Sequence, residues 1–531
     1  MSLNSPAFHR ILNLSLPPLP ISSRLYRPML AAAVVLLGLA IALWPLQAVI
    51  LLVAGTIFLT SVLVKPILNL YALIFVIPLS SLVAISVGDF KVGLMELILA
   101  VGLAAWLLQI LASPTLFGRP LKIQTGPLAG PFLLFLGGVS LSWLATHSFG
   151  ASLIETAKWV EMLLLYLFVI NLLTLRQLGW VILAFILSGL AQALLGLYQF
   201  IFKVGPDGFL LFEGRFLRAY GAFAQPNPYG GYLGLLLPLV LAVTLWAFTS
   251  RPGSLNPTPL EIRLDPSRLL GDKVFVLLTR LARTFILGLP LGLLLAALYA
   301  SQSRGAWLGF AAAALAIFLV RSKQSALLLT ALALVVALAG LISAFDFQSS
   351  AGGIPAADSA YSVIVQRLAD AIDVLRVTDV ANTPVTDANF ANLERLAHWQ
   401  AARAMWRDNL WLGVGFGNYA VVYPAYAVGR WLDPLGHAHN YLLNLGAETG
   451  LTGIMAYLIF WIFVFGVLWK AIRHSDGLER AVSVGGMGIL VHLHIHNLVD
   501  NLYVQGMYLH IAIVLGLISI IYQQNNLRST S

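Results

Sequence analysis

Three groups of polar residues have types and spacings that could do chemistry. In DPLGHAHNYLLNLGAETGLTG, His437 and His439 stand two apart, directly before Asn440, and Glu448 follows within an apolar run. A neutral imidazole at a helix start could take a proton from a substrate hydroxyl. The bland alternative is a helix N-cap whose histidines bond backbone carbonyls. A two-residue spacing is not the i, i+4 pair of a helical metal site, and the chain has no HExxH motif and no cysteine. No metal and no cofactor are therefore expected. In VHLHIHNLVDNLYVQGM, His492, His496 and Asp500 recur every four residues. They form either a relay or metal row or, as the blander reading, a polar stripe facing a helix-bundle interior. The third group is a set of arginines. Arg215 and Arg218 lie with Asn227 in EGRFLRAYGAFAQPNPYGGYL, Arg304 lies in SQSRGAWLGF, and Arg395, Arg403 and Arg407 lie in one amphipathic stretch. A guanidinium fork matches phosphate oxygens and stays charged at any working pH. The alternative is that these side chains snorkel to headgroups or pair with Asp207, Glu213 or Glu394.

The elements that must position these residues are membrane helices. The chain has 531 residues, of which 59% are hydrophobic and only 10% charged, against about 25% charged in soluble domains. Apolar runs of about 17–22 residues, each long enough to cross a bilayer core, recur about fourteen times. They lie near 29–45, 46–64, 67–87, 93–112, 128–145, 157–173, 178–202, 229–248, 284–300, 305–320, 325–345, 451–470, 481–496 and 504–522. The segment 157–173 is the least regular, because it carries Lys158 and Glu161. The fold class expected is an all-α polytopic bundle. With the N-terminus inside, the short basic loops fall on the cytoplasmic face, as the positive-inside rule requires. The net charge of +9 is then a matter of topology, and nucleic acid is not an expected partner. This gives a cytoplasmic tail over 1–28, a first block of membrane helices over 29–345, a large outer loop over 346–450, and C-terminal membrane helices with a short cytoplasmic tail over 451–531. Within the outer loop, 361–376 and 393–407 repeat apolar residues at helical spacing and read as amphipathic helices. WLGVGFGNY, with Gly413, Gly415 and Gly417, has no preceding strand in a βαβ context and reads as a tight turn, not a nucleotide loop.

Taken in order, several of these motifs resemble those of the O-antigen ligase family, membrane glycosyltransferases that include related O-antigen polymerases. QSRGAWLGF resembles the family's Ser-Arg-Gly-(Ala/Gly)-Trp element, and RAYGAFAQPNPYGGYL its earlier Gly-Phe-Pro-Asn segment. RLAHWQAARAMWRDNLWLGVGFGNY resembles the stretch opening the family's outer loop. His439, Asn440, Gly450 and Gly453 fit its His-(Asn/Ser/Gln)-x9-Gly-x2-Gly signature. The resemblance covers about 210–515; the first 200 residues share only hydropathy. It implies a GT-C type bundle that transfers a glycan from undecaprenyl diphosphate to a lipid, glycan or protein acceptor at the outer leaflet, without metal and with inversion. It places the catalytic base on His439 and the essential arginines on Arg304 and Arg395. Arg215, Arg218, Asn227, His437, Asn440, Arg403 and Glu448 are then candidates for substrate binding. The implied location is the bacterial inner membrane, with both termini cytoplasmic and the site facing outward among membrane lipids. The segments 346–392 and 249–283 fit no family pattern and leave the acceptor open.

Two other functions compete. A polysaccharide polymerase would share the donor and differ in the acceptor. A small-anion transporter, bicarbonate among its candidate cargoes, would place ionisable groups near the midplane on broken helices in paired repeats. Here the notable charges cluster instead beside one large outer loop.

Overall fold

The computed structural model describes residues 45–82, 84–87, 90–117, 122–211, 214–249, 272–321, 379–386 and 389–530. The expected spans 29–45 (but for its last residue) and 325–345, the amphipathic segment 361–376 and residues 250–271 lie outside these. Among the described residues the chain forms 14 α-helices and two small antiparallel hairpins. Seven helices are long and apolar enough to cross a bilayer. The protein is an all-α, multi-pass membrane bundle.

The described residues divide into two units, 45–65 and those from 66 to 530. In the first, α1 (Leu46–Val64) is apolar on every face and runs from Pro45 to Lys65. In the second, the expected span 67–87 is shorter than its hydropathy indicates. Helix α2 (Ile67–Val76) passes into a 3-10 turn at Ile77–Leu79, where Pro78 removes a backbone donor. The chain then forms a hairpin of β1 (Ala84–Val87) and β2 (Phe90–Gly93), with Ala84 opposite Gly93. Helices α3 (Leu94–Phe117), α4 (Ala129–Ser140) and α5 (Phe149–Leu172) follow. Helix α5 begins eight residues ahead of the expected span and takes Glu155, Lys158 and Glu161 into the bundle. After α6 (Leu178–Phe202) comes a second hairpin, β3 (Leu210–Leu211) with β4 (Phe216–Leu217).

The centre of the bundle is α7 (Pro226–Thr249), α8 (Asp272–Ala300) and α9 (Arg304–Arg321), followed later by α12 (Tyr441–His474), α13 (Gly477–His496) and α14 (Met507–Thr530). Small residues let these helices approach closely, as is usual where lipid offers no competing hydrophobic drive. A Cβ on Gly485 would lie 2.9 Å from the Leu239 backbone, and one on Gly488 would lie 2.7 Å from Ile317 and Pro238. The expected amphipathic helix is present as α10 (Phe390–Asp408), and a single turn, α11 (Tyr419–Val422), follows it.

Helix α12 starts ten residues before the expected span and breaks at Gly450, whose φ is 61°. In an unbroken helix, Leu451 and Thr452 N–H would pair with Ala447 and Glu448 C=O. Here the Gly-rich turn takes all four groups. Val414 and Gly415 N–H donate to Ala447 O and Glu448 O, both at 2.9 Å, while Leu451 N–H donates to Leu410 O at 2.9 Å and Thr452 N–H to Trp411 O at 3.3 Å. The backbone of 410–415 thus stands in for one turn of helix ladder. Only glycine fits the break, because a Cβ at Gly450 would lie 2.3 Å from the Trp411 carbonyl carbon, and one at Gly413 would lie 2.3 Å from that of Glu448.

Gly450→Ala and Gly413→Ala should each destabilise the fold by roughly 2–4 kcal/mol, combining backbone strain with a main-chain clash. Gly466→Ala, on the same helix with nothing within 4 Å of the added Cβ, should be neutral. Thermal unfolding of the three purified variants in detergent checks this, and equal midpoints would refute the account of the break.

Candidate active site

His439 is held by its own sequence neighbours and by the two helices it joins. Asn440 caps α12 by accepting from Leu443 N–H at 3.0 Å, and its amide donates to Leu498 O at 2.9 Å, at the end of α13. Asn444, one turn into α12, accepts from Ala438 N–H at 3.0 Å. His437 Nδ1 accepts from His439 N–H at 3.1 Å, and Trp399 Nε1–H from α10 donates to His439 O at 3.2 Å. The N-cap reading of this motif therefore holds for Asn440, while the two imidazoles face a cavity. His439 itself has φ 51°, the left-handed region that non-glycine residues rarely occupy. A strained residue persists where its surroundings over-determine it, and such residues gather at active sites.

Asp500 sits past the end of α13, with Oδ1 3.5 Å from His439 Nδ1 and Oδ2 4.0 Å from His496 Nε2. The row of His492, His496 and Asp500 is thus continuous only in part, since the helix ends at His496. Burial alone would raise the Asp500 carboxyl. The facing His439 ring, with His437 and His496, outweighs it and holds Asp500 below the usual carboxylate range. Burial also pushes the His437 imidazole down to about 3, with the neighbouring His439 acting in the same direction. Neither ring nitrogen of His439 has a hydrogen-bond partner among the described residues, Nδ1 lying 3.5 Å from Asp500 Oδ1.

The cavity at His439 has a volume of about 330 Å³. Its walls include His437, Asp500, Asn227 and Glu448, together with Glu155 and Lys158 of α5. Lys158 pairs with Glu155 at 2.5 Å. The sequence reading left this pair out of the site. Its signal was there, since Lys158 and Glu155 are charges inside an apolar segment, and such charges face a cavity or a partner. Glu448 is buried, and its Oε1 accepts from Tyr419 N–H at 3.0 Å, so it holds the Gly-rich turn as well as lining the cavity. Asn418 docks that turn on α5, accepting from Ser148 N–H at 2.6 Å and donating to Thr146 Oγ1 and Ser152 Oγ, both at 2.9 Å.

Three arginines approach from the same end of the bundle. Arg395, on α10, donates through Nε to Val499 O at 3.2 Å, next to Asp500. Arg304 Nη2 donates to Asn392 Oδ1 at 2.7 Å, one turn before Arg395 on α10. Arg218 donates to Asn227 Oδ1 at 2.6 Å and to Ser301 O at 3.2 Å, in the turn that leads into Arg304. Two buried glutamines of α6 set the Arg218 segment. Gln199 Oε1 accepts from Tyr220 and Gly221 N–H at 3.1 and 2.7 Å, and Gln192 Oε1 accepts from Ala222 N–H at 2.9 Å. The turn before Arg304 is buried and strained, with Gln302 at φ 51°. Arg215 and Arg403 are placed otherwise. Arg215 is exposed over the Phe216 ring, 5.7 Å from its centroid. Arg403 is exposed on α10, about 12 Å along the axis from Arg395.

Ligand atoms of His437, His439 and Asp500 all lie within 4.8 Å of one another, a spacing that a divalent ion could also bridge. Residues 289–458 match the family model described as O-antigen ligase. The matched stretch runs from the second half of α8 into α12 and contains Arg304, Arg395 and His439, while Arg218, Lys158 and Asp500 fall outside it. No curated protein matches the chain.

His398, on α10, packs behind His439 with Nδ1 2.8 Å from Tyr419 Oη and its ring stacked on Tyr423. Burial, reinforced by the His439 ring, lowers its imidazole to about 4. An unfolded histidine titrates near 6.5. Between these values the unfolded chain binds more protons, so stability is present at neutral pH and falls as pH drops. His398 should account for about 2 kcal/mol of lost stability between pH 7 and pH 5. Unfolding midpoints across that range should fall steeply in wild type and less steeply in His398→Gln; identical slopes would refute the assignment.

Proposed function

We propose, on the match of residues 289–458 to the O-antigen ligase family model, that the chain is a membrane glycosyltransferase that moves a glycan from undecaprenyl diphosphate to an acceptor hydroxyl at the outer leaflet. The observation that carries this reading is the His439–Asp500 contact of 3.5 Å, set on strained backbone beside the elements that bear Arg304 and Arg395. His439 Nε2 takes the proton of the acceptor hydroxyl. The freed oxygen attacks the anomeric carbon from the face opposite the diphosphate, the carbon–oxygen bond to diphosphate breaks, and its electron pair leaves with the phosphate oxygen. Inversion follows from the single displacement. Asp500 stabilises the imidazolium that forms and fixes the ring's orientation. Arg304 and Arg395, with Arg218 as a third, offset the charge developing on the leaving diphosphate, a task that fixed cations perform without reorganising. Lys158, paired with Glu155, also lines the cavity. In this reading, positioning of donor and acceptor supplies much of the remaining rate. The protein lies in the inner membrane with its site facing outward and its termini in the cytoplasm.

Purified protein given a glycan on undecaprenyl diphosphate and a membrane-lipid extract should release undecaprenyl diphosphate. His439→Ala should lower the rate about 10²–10⁴-fold, as for loss of a general base, and Arg304→Ala about 10²–10³-fold. Gel mobility of the product separates ligation onto a new acceptor from growth of a lipid-linked chain. Release by folded variants at the wild-type rate would remove these residues from the mechanism. Absence of release by wild type with any glycan donor would leave small-anion transport as the leading reading.

The reaction should also be independent of metal. Dialysis against EDTA should leave the rate within about twofold, because guanidinium groups take the role a Lewis acid would otherwise fill. A loss restored by one divalent ion would transfer His437, His439 and Asp500 from proton chemistry to metal ligation.

A further inference from the structure

A second cationic site lies at the far end of the same helices. Helix α9 carries Arg304 at its first residue and Arg321 at its last, about 26 Å apart along the axis. At the Arg321 end, α7, α9 and α13 enclose a cleft of about 100 Å³ lined by Trp246, Arg321 and Arg480. Arg321 is anchored at the rim, with Nη2 donating to Thr249 Oγ1 at 2.8 Å and to Leu245 O at 3.1 Å. Arg480 is exposed one turn into α13 and repels Arg321 across the cleft. Among the described residues no carboxylate pairs with either. Glu479, next in sequence to Arg480, is occupied by Arg528 in a two-pronged contact of 3.1 and 3.2 Å.

Two guanidiniums lining one cleft, with no carboxylate on either among the described residues, favour an anion that bridges them. The cleft has room for a phosphate group and not for a whole lipid. Helices α7 and α9 are each long and apolar enough to cross a bilayer, and both end at this cleft, which sets it at the level of lipid headgroups. We propose that Arg321 and Arg480 bind the phosphate of an anionic phospholipid headgroup. Basic pockets between membrane helices take such headgroups, and the arginine fork supplies the geometry. The inference rests on the bundle crossing a membrane and is independent of the reaction at His439.

The test uses the full-length protein in neutral detergent, read by thermal unfolding and by native mass spectrometry. Phosphatidylglycerol, phosphatidylcholine with the same chains, and inorganic phosphate are added separately. Phosphatidylglycerol should raise the unfolding midpoint well above the rise given by phosphatidylcholine, because a ligand that binds only the folded state stabilises it by mass action. It should also remain attached in at least one copy. Arg480→Gln should weaken retention severalfold, and Arg321→Gln with Arg480→Gln should abolish the difference between the two lipids. Since Arg321 also ties α9 to α7, the double variant counts only if its midpoint without lipid matches wild type. Arg480→Gln removes an exposed side chain and decides the matter alone if the double variant fails to fold. Equal effects of the two lipids on wild type, or full retention by Arg480→Gln, would overturn the site. An equal rise from inorganic phosphate would overturn the lipid as its occupant.

Discussion

The backbone of α12 opens at Gly450, and in buried surroundings each opened carbonyl and amide must find a partner or cost several kcal/mol. The structure solves this by letting another stretch of chain complete the ladder. Because 410–415 supplies two donors and two acceptors in register, the Gly-rich turn is locked to α12. The turn in turn fixes Asn418 against α5 and Glu448 against Tyr419. The helix bearing Lys158 and Glu155 is therefore tied to α12 through the Gly-rich turn, by main-chain bonds on the α12 side and by the Asn418 side chain on the α5 side.

The same helix break explains why the histidines can stand where they do. Ahead of Gly450, the segment Tyr441–Thr449 makes a short helix whose N-cap, Asn440, reaches the end of α13. Asp500 belongs to the coil that follows α13, so the cap brings His439 to its carboxylate. On the other flank, α10 ties Asn392 to Arg304 and Arg395 to Val499. His439, Asp500, Arg304 and Arg395 are thus carried by four different elements, each fixed to the next by hydrogen bonds to backbone or amide groups. This division suits a reaction in which one group handles a proton and others handle phosphate charge, because neither function has to move with the other.

Much of the architecture was legible in the sequence. Apolar runs gave most membrane helices, helical spacing gave α10, and the spacing of Gly413, Gly415 and Gly417 gave a turn. The motifs carrying His439, Arg304 and Arg395 are contiguous, and their chemistry is written in residue type. What escaped was set by long-range pairing. The span at 67–87 is uniformly apolar, but Pro78 and the pairing of Ala84–Val87 with Phe90–Gly93 end the helix early. Lys158 and Glu155 were visible only as irregularities in a span, because nothing local indicates that α5 will face a loop some 270 residues later. The early start of α12 was hidden for the same reason. Its first nine residues contain Asn444 and Glu448, which lower the hydropathy, and their polar groups are satisfied by partners outside the helix.

Four residues other than glycine take left-handed backbone at the site: Leu435, His439 and Gln505 around the cavity, and Gln302 before Arg304. Each costs of order 1–3 kcal/mol. Ser301 and Ser303 bond within the Gln302 turn, and His437, Asn444, Trp399 and Asn440 surround His439. The bonds are local and polar, in a molecule whose overall stability comes from apolar packing. Removing them would relax the backbone and leave the bundle standing. The fold could dispense with such strain at a loop, so its gathering around the His439 cavity and before Arg304 points to geometry, not stability, as what these segments maintain.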